Sequence, residues 1–199
     1  MVLRRRPLVT VNLTVGRCSP GPWQPAGVDR RPTPSLGEWA VLGVLVERPR
    51  HGYDIAAELK AGTTLGDVWR LPRPLVYRAL ERLDALGLVE PRRSEPGTTG
   101  PPRVVFGATR RGRAALRAWL AEPVAHLRDV RSSLLFKLVL LDRLGLDHTP
   151  LVRSQREAFA HLLLALDTPP DPADVIATWR HHSAAAVATF IDALEAPAR

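Results

Sequence analysis

Hydrophobic residues recur at helical spacing along most of the chain, and the breaks between them cut it into short elements. Leu36, Trp39, Ala40, Leu42, Gly43, Val44 and Val46 predict a strongly apolar helix. Ser35 suits its N-cap, Glu38 stands at the capping-box position, and Pro49 ends it. Gly52 then allows a turn, and Ile55 and Leu59 predict a second, shorter helix. Thr63 to Trp69 reads as a connector with Leu65, Val68 and Trp69 turned inward. Val76, Leu80 and Leu83, widened by Leu75, Ala79 and Leu86, form the apolar stripe of a helix over about 73–86. Pro72 and Pro74 suit its first turn, where a missing N–H does no harm, and Gly87 is its expected stop.

The pattern then changes. Leu88 to Arg92 and Arg103 to Gly107 are short strand candidates, separated by the turn formers Ser94-Glu-Pro-Gly-Thr-Thr-Gly-Pro-Pro102. Helical spacing returns from Thr109 to Ala121, with Leu116, Trp119 and Leu120 apolar. Pro123 opens a helix running to about Leu144, with Leu127, Val130, Leu134, Leu135, Leu138 and Leu141 on a broad stripe, and Gly145 stops it. Thr149-Pro150 opens another, with Val152, Phe159, Leu162, Leu163 and Leu166 on one side. Asp171-Pro-Ala-Asp174 opens a last helix with Val175, Trp179, Ala186, Phe190 and Leu194 in register. Two helices, a connector, a third helix and a hairpin make a winged helix-turn-helix over residues 35–120. Three wide-faced helices over 121–199 make a helical assembly. The fold class is thus mainly α with a small β-hairpin. The C-terminal faces would leave apolar surface exposed in a lone chain. Packing onto the N-terminal domain is one outlet; dimerisation is preferred, because a two-fold DNA reader needs two modules at fixed spacing.

Charge sharpens this division. The chain has 199 residues and a net charge of +8. Residues 1–34, rich in proline, hold six arginines against one acid and read as a disordered basic arm. Residues 35–120 hold fourteen basic and nine acidic groups, whereas 121–199 are slightly acidic. From Arg92 to Arg117 there are seven arginines and one acid, Glu95. A solvated arginine-rich surface would look the same, but beside a helix–hairpin unit, contact with DNA is the better reading. The helix over 73–86 carries Arg73, Tyr77, Arg78, Glu81 and Arg82 opposite its apolar stripe, which suits a major groove. Arg73 and Arg78 could read guanine edges or hold phosphate, and phosphate is favoured for at least one. Tyr77 could equally be a half-buried core aromatic.

Other chemistry finds little support. Cys18 is the single cysteine, so no disulfide joins two residues of one chain, which fits a reducing cytoplasm. No apolar run approaches the roughly 18 residues that span a bilayer. Arg4-Arg5-Arg6 followed by Leu8 to Val15 is too short, and too broken by Asn12, for an export signal. Glu157 and His161 are four apart but lack a third ligand, and His181 and His182 point to different sides of a helix. No metal or cofactor site is expected. No phosphate loop, nucleophile elbow or catalytic carboxylate pair appears, so the chain does not read as an enzyme. Trp119 and Trp179 lie on helices that could line an interface pocket, where an aromatic or drug-like ligand could stack.

The segments Leu36-Gly-Glu-Trp-Ala-Val-Leu-Gly-Val-Leu, Pro49-Arg-His-Gly-Tyr-Asp-Ile55, Val68-Trp-Arg, Leu75-Val-Tyr-Arg-Ala-Leu-Glu-Arg-Leu-Asp-Ala-Leu-Gly-Leu-Val89 and Gly100-Pro-Pro-Arg-Val-Val-Phe-Gly-Ala-Thr109 stand in an order and spacing that resemble the PadR family of bacterial transcriptional regulators. The three-helix C-terminus resembles the longer, phenolic-acid-responsive members. The resemblance implies a homodimeric repressor on a palindromic operator, released by a small aromatic or drug-like ligand. It implies that Tyr77 and Arg78 face DNA, that Arg103 serves the wing, and that Tyr53 sits near the DNA backbone. Leu71-Pro-Arg-Pro74 stands where such sequences usually carry small residues, and Val105-Phe-Gly107 where a tyrosine-rich strand end is usual. A winged helix turned to protein contacts, without operator binding, is the rival reading.

Overall fold

A computed structural model describes residues 33–95 and 103–196. The arm expected over 1–34 and the tip of the hairpin lie almost wholly outside these residues. The first helix, α1 (Leu36–Glu47), starts on the expected capping box: Glu38 N–H donates to Ser35 Oγ and Ser35 N–H to a Glu38 carboxylate oxygen, at 3.4 and 2.7 Å. Every residue from Glu38 to Leu45 is buried, as befits a helix that is apolar all round.

After α1 come β1 (Arg50–His51), α2 (Gly52–Glu58), α3 (Thr64–Val68) and α4 (Arg73–Ala85). The expected connector contains α3, capped by the Thr63 hydroxyl, which accepts the Gly66 N–H at 3.0 Å. Five residues are too few to show a helical period. Val76, Ala79, Leu80 and Leu83 of α4 are buried, and Gly87 closes the helix with a left-handed φ of 67°.

The hairpin consists of β2 (Val89–Glu95) and β3 (Arg103–Ala108). It belongs to a three-stranded antiparallel sheet of order β1-β3-β2, so the two-residue β1 was hidden in what reads as a turn. Arg50 pairs with Phe106 and His51 with Val105. The β2–β3 register shifts between Pro91 and Arg93, and Pro91 is tolerated because β2 is an edge strand.

α5 (Arg110–Ala121) is capped by Thr109, whose hydroxyl accepts the Gly112 N–H at 2.9 Å. Pro123 opens no helix. The next helical run begins later, as a 3₁₀ turn (Leu127–Asp129), a π turn (Val130–Leu134) and then α6 (Leu135–Arg143). The segment after α5 is instead held by Gln155 of α7 (Thr149–Ala158). Gln155 is fully buried; its Oε1 accepts the Val124 N–H at 2.8 Å and its Nε2 donates to the Val124 carbonyl at 3.0 Å. The helix expected to run on through Leu166 breaks at the buried Phe159 into α7, α8 (Ala160–Leu164) and a 3₁₀ turn.

The last helix, α9 (Val175–Glu195), is capped by Asp174, which accepts from the N–H groups of Ile176 and Ala177. Its inner face differs from the expected one. Ala184 and Ile191 are buried, while Val175, Ile176 and Trp179 are 77, 63 and 72% exposed. Apolar residues stand on two faces of α9, and periodicity alone cannot tell which one the chain itself covers.

One core runs from α1 through α4 and α5 to Phe136, Leu140, Leu151 and Phe159 of the C-terminal helices. Charges bind the same halves. Arg143 at the end of α6 makes a two-pronged contact with Glu47 at 2.6 and 2.8 Å and reaches Glu58 at 3.1 Å. Arg50, itself buried, reaches the same two carboxylates at 2.6 and 2.7 Å. Burial alone would raise the Glu58 carboxyl, but the two guanidinium groups outweigh it and hold it below its usual value. The C-terminal helices therefore do pack onto the N-terminal unit within one chain.

Candidate nucleic-acid interface

α4 turns its apolar stripe onto α1 and α2, which leaves its other side to solvent. At about 100° per residue, Arg78 lies opposite the buried stripe. Arg73 and Tyr77 lie on one flank and Arg82 on the other. All four are exposed. A helix presented in this way, with a hairpin beside it, is the geometry that enters a major groove.

The flanks differ in chemistry. Arg82 Nε sits 3.0 Å from Glu38 Oε1, so this guanidinium is engaged by the residue that caps α1. Arg78 makes no ion pair among the described residues and lines, with Arg82, Ser35 and Leu75, a groove of about 640 Å³ between α4 and the start of α1. On the other flank, Tyr53 from α2 and Tyr77 both stand close to Arg73. Its guanidinium carbon is 5.3 Å from the Tyr53 ring centre and 5.8 Å from that of Tyr77. Gly52 makes room for this arrangement: a Cβ there would lie 2.8 Å from Tyr77 Cε1. Tyr77 is 39% exposed, so the ring is half packed and half open. Arg103 is exposed at the start of β3, opposite Glu95 in the hairpin register. Arg92, in contrast, folds back on Glu90 at 2.9 Å.

The structure thus brings Tyr53, Arg73 and Tyr77 together, sets Arg78 at the centre of the outer face, and separates Arg82 and Arg103 from them. Sequence spacing did not reveal the Tyr53–Arg73 contact, because it joins two helices. The His-Gly-Tyr signal lay in the glycine, whose only evident role in sequence was a turn.

The two tryptophans offered as ligand contacts do not meet. Trp119 is stacked on Trp39, with ring centres 5.2 Å apart and planes at 13°, inside the chain. The buried Lys137 ammonium lies 4.7 Å over the same ring and donates to the Glu122 carbonyl. Burial pulls this lysine down to about 8, against an opposing pull from Glu122. Trp179 instead lies on a separate groove of about 790 Å³, with His126, Arg128, His161, Arg180 and His181 among its walls. Among the described residues no group of three His, Cys, Asp or Glu is placed to hold a metal ion. Nor, among them, is any helix long and apolar enough to cross a membrane.

A mostly helical chain with a helix-turn-helix, a hairpin wing and an exposed basic face on α4 is of the winged-helix class. Residues 41–118 match the model of the transcriptional regulator PadR-like family. Three solved structures are similar. Bacillus subtilis PadR in complex with operator DNA is 18% identical, with 80% of this chain and 97% of that one covered at a TM-score of 0.44. The same protein in complex with p-coumaric acid is 17% identical, with 80 and 93% covered and a TM-score of 0.37. The PadR-like regulator BC1756 from Bacillus cereus is 14% identical, with 83 and 99% covered and a TM-score of 0.36. No curated protein matches the chain.

Proposed function

We propose that the chain is a homodimeric, operator-binding transcriptional repressor, acting in the cytoplasm, whose grip on a palindromic site is relieved by a small aromatic or drug-like ligand. The observation that carries the reading is the outer face of α4. Among the described residues neither Arg78 nor Arg73 has an ion-pair partner, Arg73 stands against two tyrosine rings, and the second strand of the wing starts at Arg103. Exposed arginines with no acid of the described residues to neutralise them suit a polyanion. Tyr53, Arg73, Tyr77, Arg78 and Arg103 are the DNA contacts of this reading. Arg82 is a secondary one, since contact with phosphate requires it to leave Glu38.

Dimerisation is supported by α9. Val175, Ile176 and Trp179, together with Leu164 at 74% exposure, are apolar side chains that nothing among the described residues covers. The ligand of this reading would enter the groove beside Trp179, whose walls mix apolar side chains with histidine and arginine. The test is a gel shift on the DNA immediately upstream of the chain's own coding region. A specific shift with two protomers per site supports the proposal. Binding no tighter than to random DNA there, and to operators selected from a random pool, would contradict it.

A further inference from the structure

The exposed arginines of α4 are not equivalent, and their surroundings separate their roles. Arg73 occupies the first turn of the helix, between Pro72 and Pro74. Proline fixes the backbone torsion on each side of it. Tyr53 and Tyr77 stand against its guanidinium at 5.3 and 5.8 Å. Tyr77 is in turn seated on the bare Cα of Gly52. Among the described residues no carboxylate pairs with Arg73. Ring contacts of this kind cover the faces of a guanidinium and leave its in-plane N–H edge open. That open edge is what a guanine accepts, through O6 and N7 together. Holding the side chain in advance also removes part of the rotamer freedom that a free arginine loses on binding. Among the described residues Arg78 has no such cradle, and Arg82 has spent its Nε on Glu38. The first turn of a recognition helix is moreover the part that meets base edges.

We infer that Arg73, cradled by Tyr53 and Tyr77, is the base-reading arginine of this chain and selects a guanine in each half-site, while Arg78 and Arg82 serve phosphate. The assignment rests on the operator-binding reading above. It is tested by selecting sites from a random duplex pool with the full chain and with Arg73→Ala, Arg73→Lys, Arg78→Ala and Tyr53→Leu. Circular dichroism checks that each variant is folded. The parent should fix a guanine at one position per half-site. Arg73→Ala should lose the preference at that position alone, with affinity for the parent's best site down about 5- to 150-fold. Arg73→Lys should weaken it, because an ammonium can reach O6 and N7 but lacks the planar fork that two tyrosine rings hold in one orientation. Tyr53→Leu should blunt the same position and no other. Arg78→Ala should leave the selected sequence unchanged and weaken all duplexes alike, with the salt slope smaller by about one.

If the parent selects sites and Arg73→Ala keeps the guanine while weakening all duplexes alike, Arg73 is a phosphate contact and the assignment is overturned. Loss of the guanine in Arg78→Ala rather than Arg73→Ala overturns it as well, and leaves operator binding standing. If the parent selects no sequence at all, the operator-binding reading itself fails and the assignment goes with it.

Discussion

Gln155→Leu removes the clamp that fixes the segment after α5, and its cost can be worked from two hydrogen bonds. The Gln155 amide is fully buried and serves both main-chain groups of Val124, at 2.8 and 3.0 Å. Val124 itself is only 7% exposed, so water cannot replace the lost partner without a local opening. Each orphaned buried group costs about 1–3 kcal/mol. The leucine regains part of that through apolar burial. The net loss is then about 3 kcal/mol, which lowers Tm by about 6–12 °C in a domain of this size. Thermal unfolding followed by circular dichroism reads this directly. A companion variant adds a sign test. In Gln155→Glu a protonated carboxyl can still donate to the Val124 carbonyl and accept its N–H, whereas the carboxylate can only accept. Burial and this donor role raise the folded-state pKa above the unfolded value of about 4.3. Its stability is therefore fullest below that value and falls as pH rises through the folded pKa. The variant should approach the parent near pH 4 and resemble Gln155→Leu at pH 7.5. A Gln155→Leu protein that melts within about 1 °C of the parent would refute the clamp.

Three more outcomes follow from the same geometry. Lys137 has a folded pKa of about 8, below its ordinary 10.5, so the unfolded chain binds the extra proton between those values. Stability from this group should therefore rise as pH climbs from about 8 toward 10.5, and urea titrations of Lys137→Met should lack that rise. Arg82→Ala should weaken DNA binding less than Arg78→Ala does, as measured by fluorescence anisotropy, because its guanidinium already lies 3.0 Å from Glu38. Trp179→Ser, at a side chain 72% exposed, should leave Tm within about 2 °C of the parent and shift sedimentation toward monomer at micromolar concentration. An unchanged dimer would remove α9 from the interface.

Local signals in the sequence located the elements of the N-terminal unit well. The Ser35–Glu38 capping box, the Val76–Leu80–Leu83 stripe, Gly87 and Thr109 each act through neighbours within a few residues, so the sequence shows them directly. β1 and α3 were too short to carry a period. The C-terminal half was harder because tertiary contacts decide it. Pro123 has the chemistry of a helix start, yet Gln155, thirty-one positions beyond Val124, holds Val124 in a loop. α9 has apolar residues on two faces, and only the packing of α7 shows that Ala184 and Ile191 turn inward while Trp179 does not. The candidate site was legible as a set of exposed residue types on one helix. The ion pair that occupies Arg82 and the tyrosine pair that holds Arg73 were not, since both join α4 to residues far away in the chain.

The central claim, that this winged helix reads a DNA sequence as a dimer, is tested most directly by anisotropy titration of the parent chain. The titration uses its selected duplex and a scrambled duplex of equal length, at salt concentrations from about 50 to 200 mM. The account predicts two protomers per selected duplex and a preference over the scrambled one of about 10³-fold or more. It also predicts an affinity that falls steeply with salt on both duplexes. Equal affinity for the two duplexes at every salt concentration would contradict it.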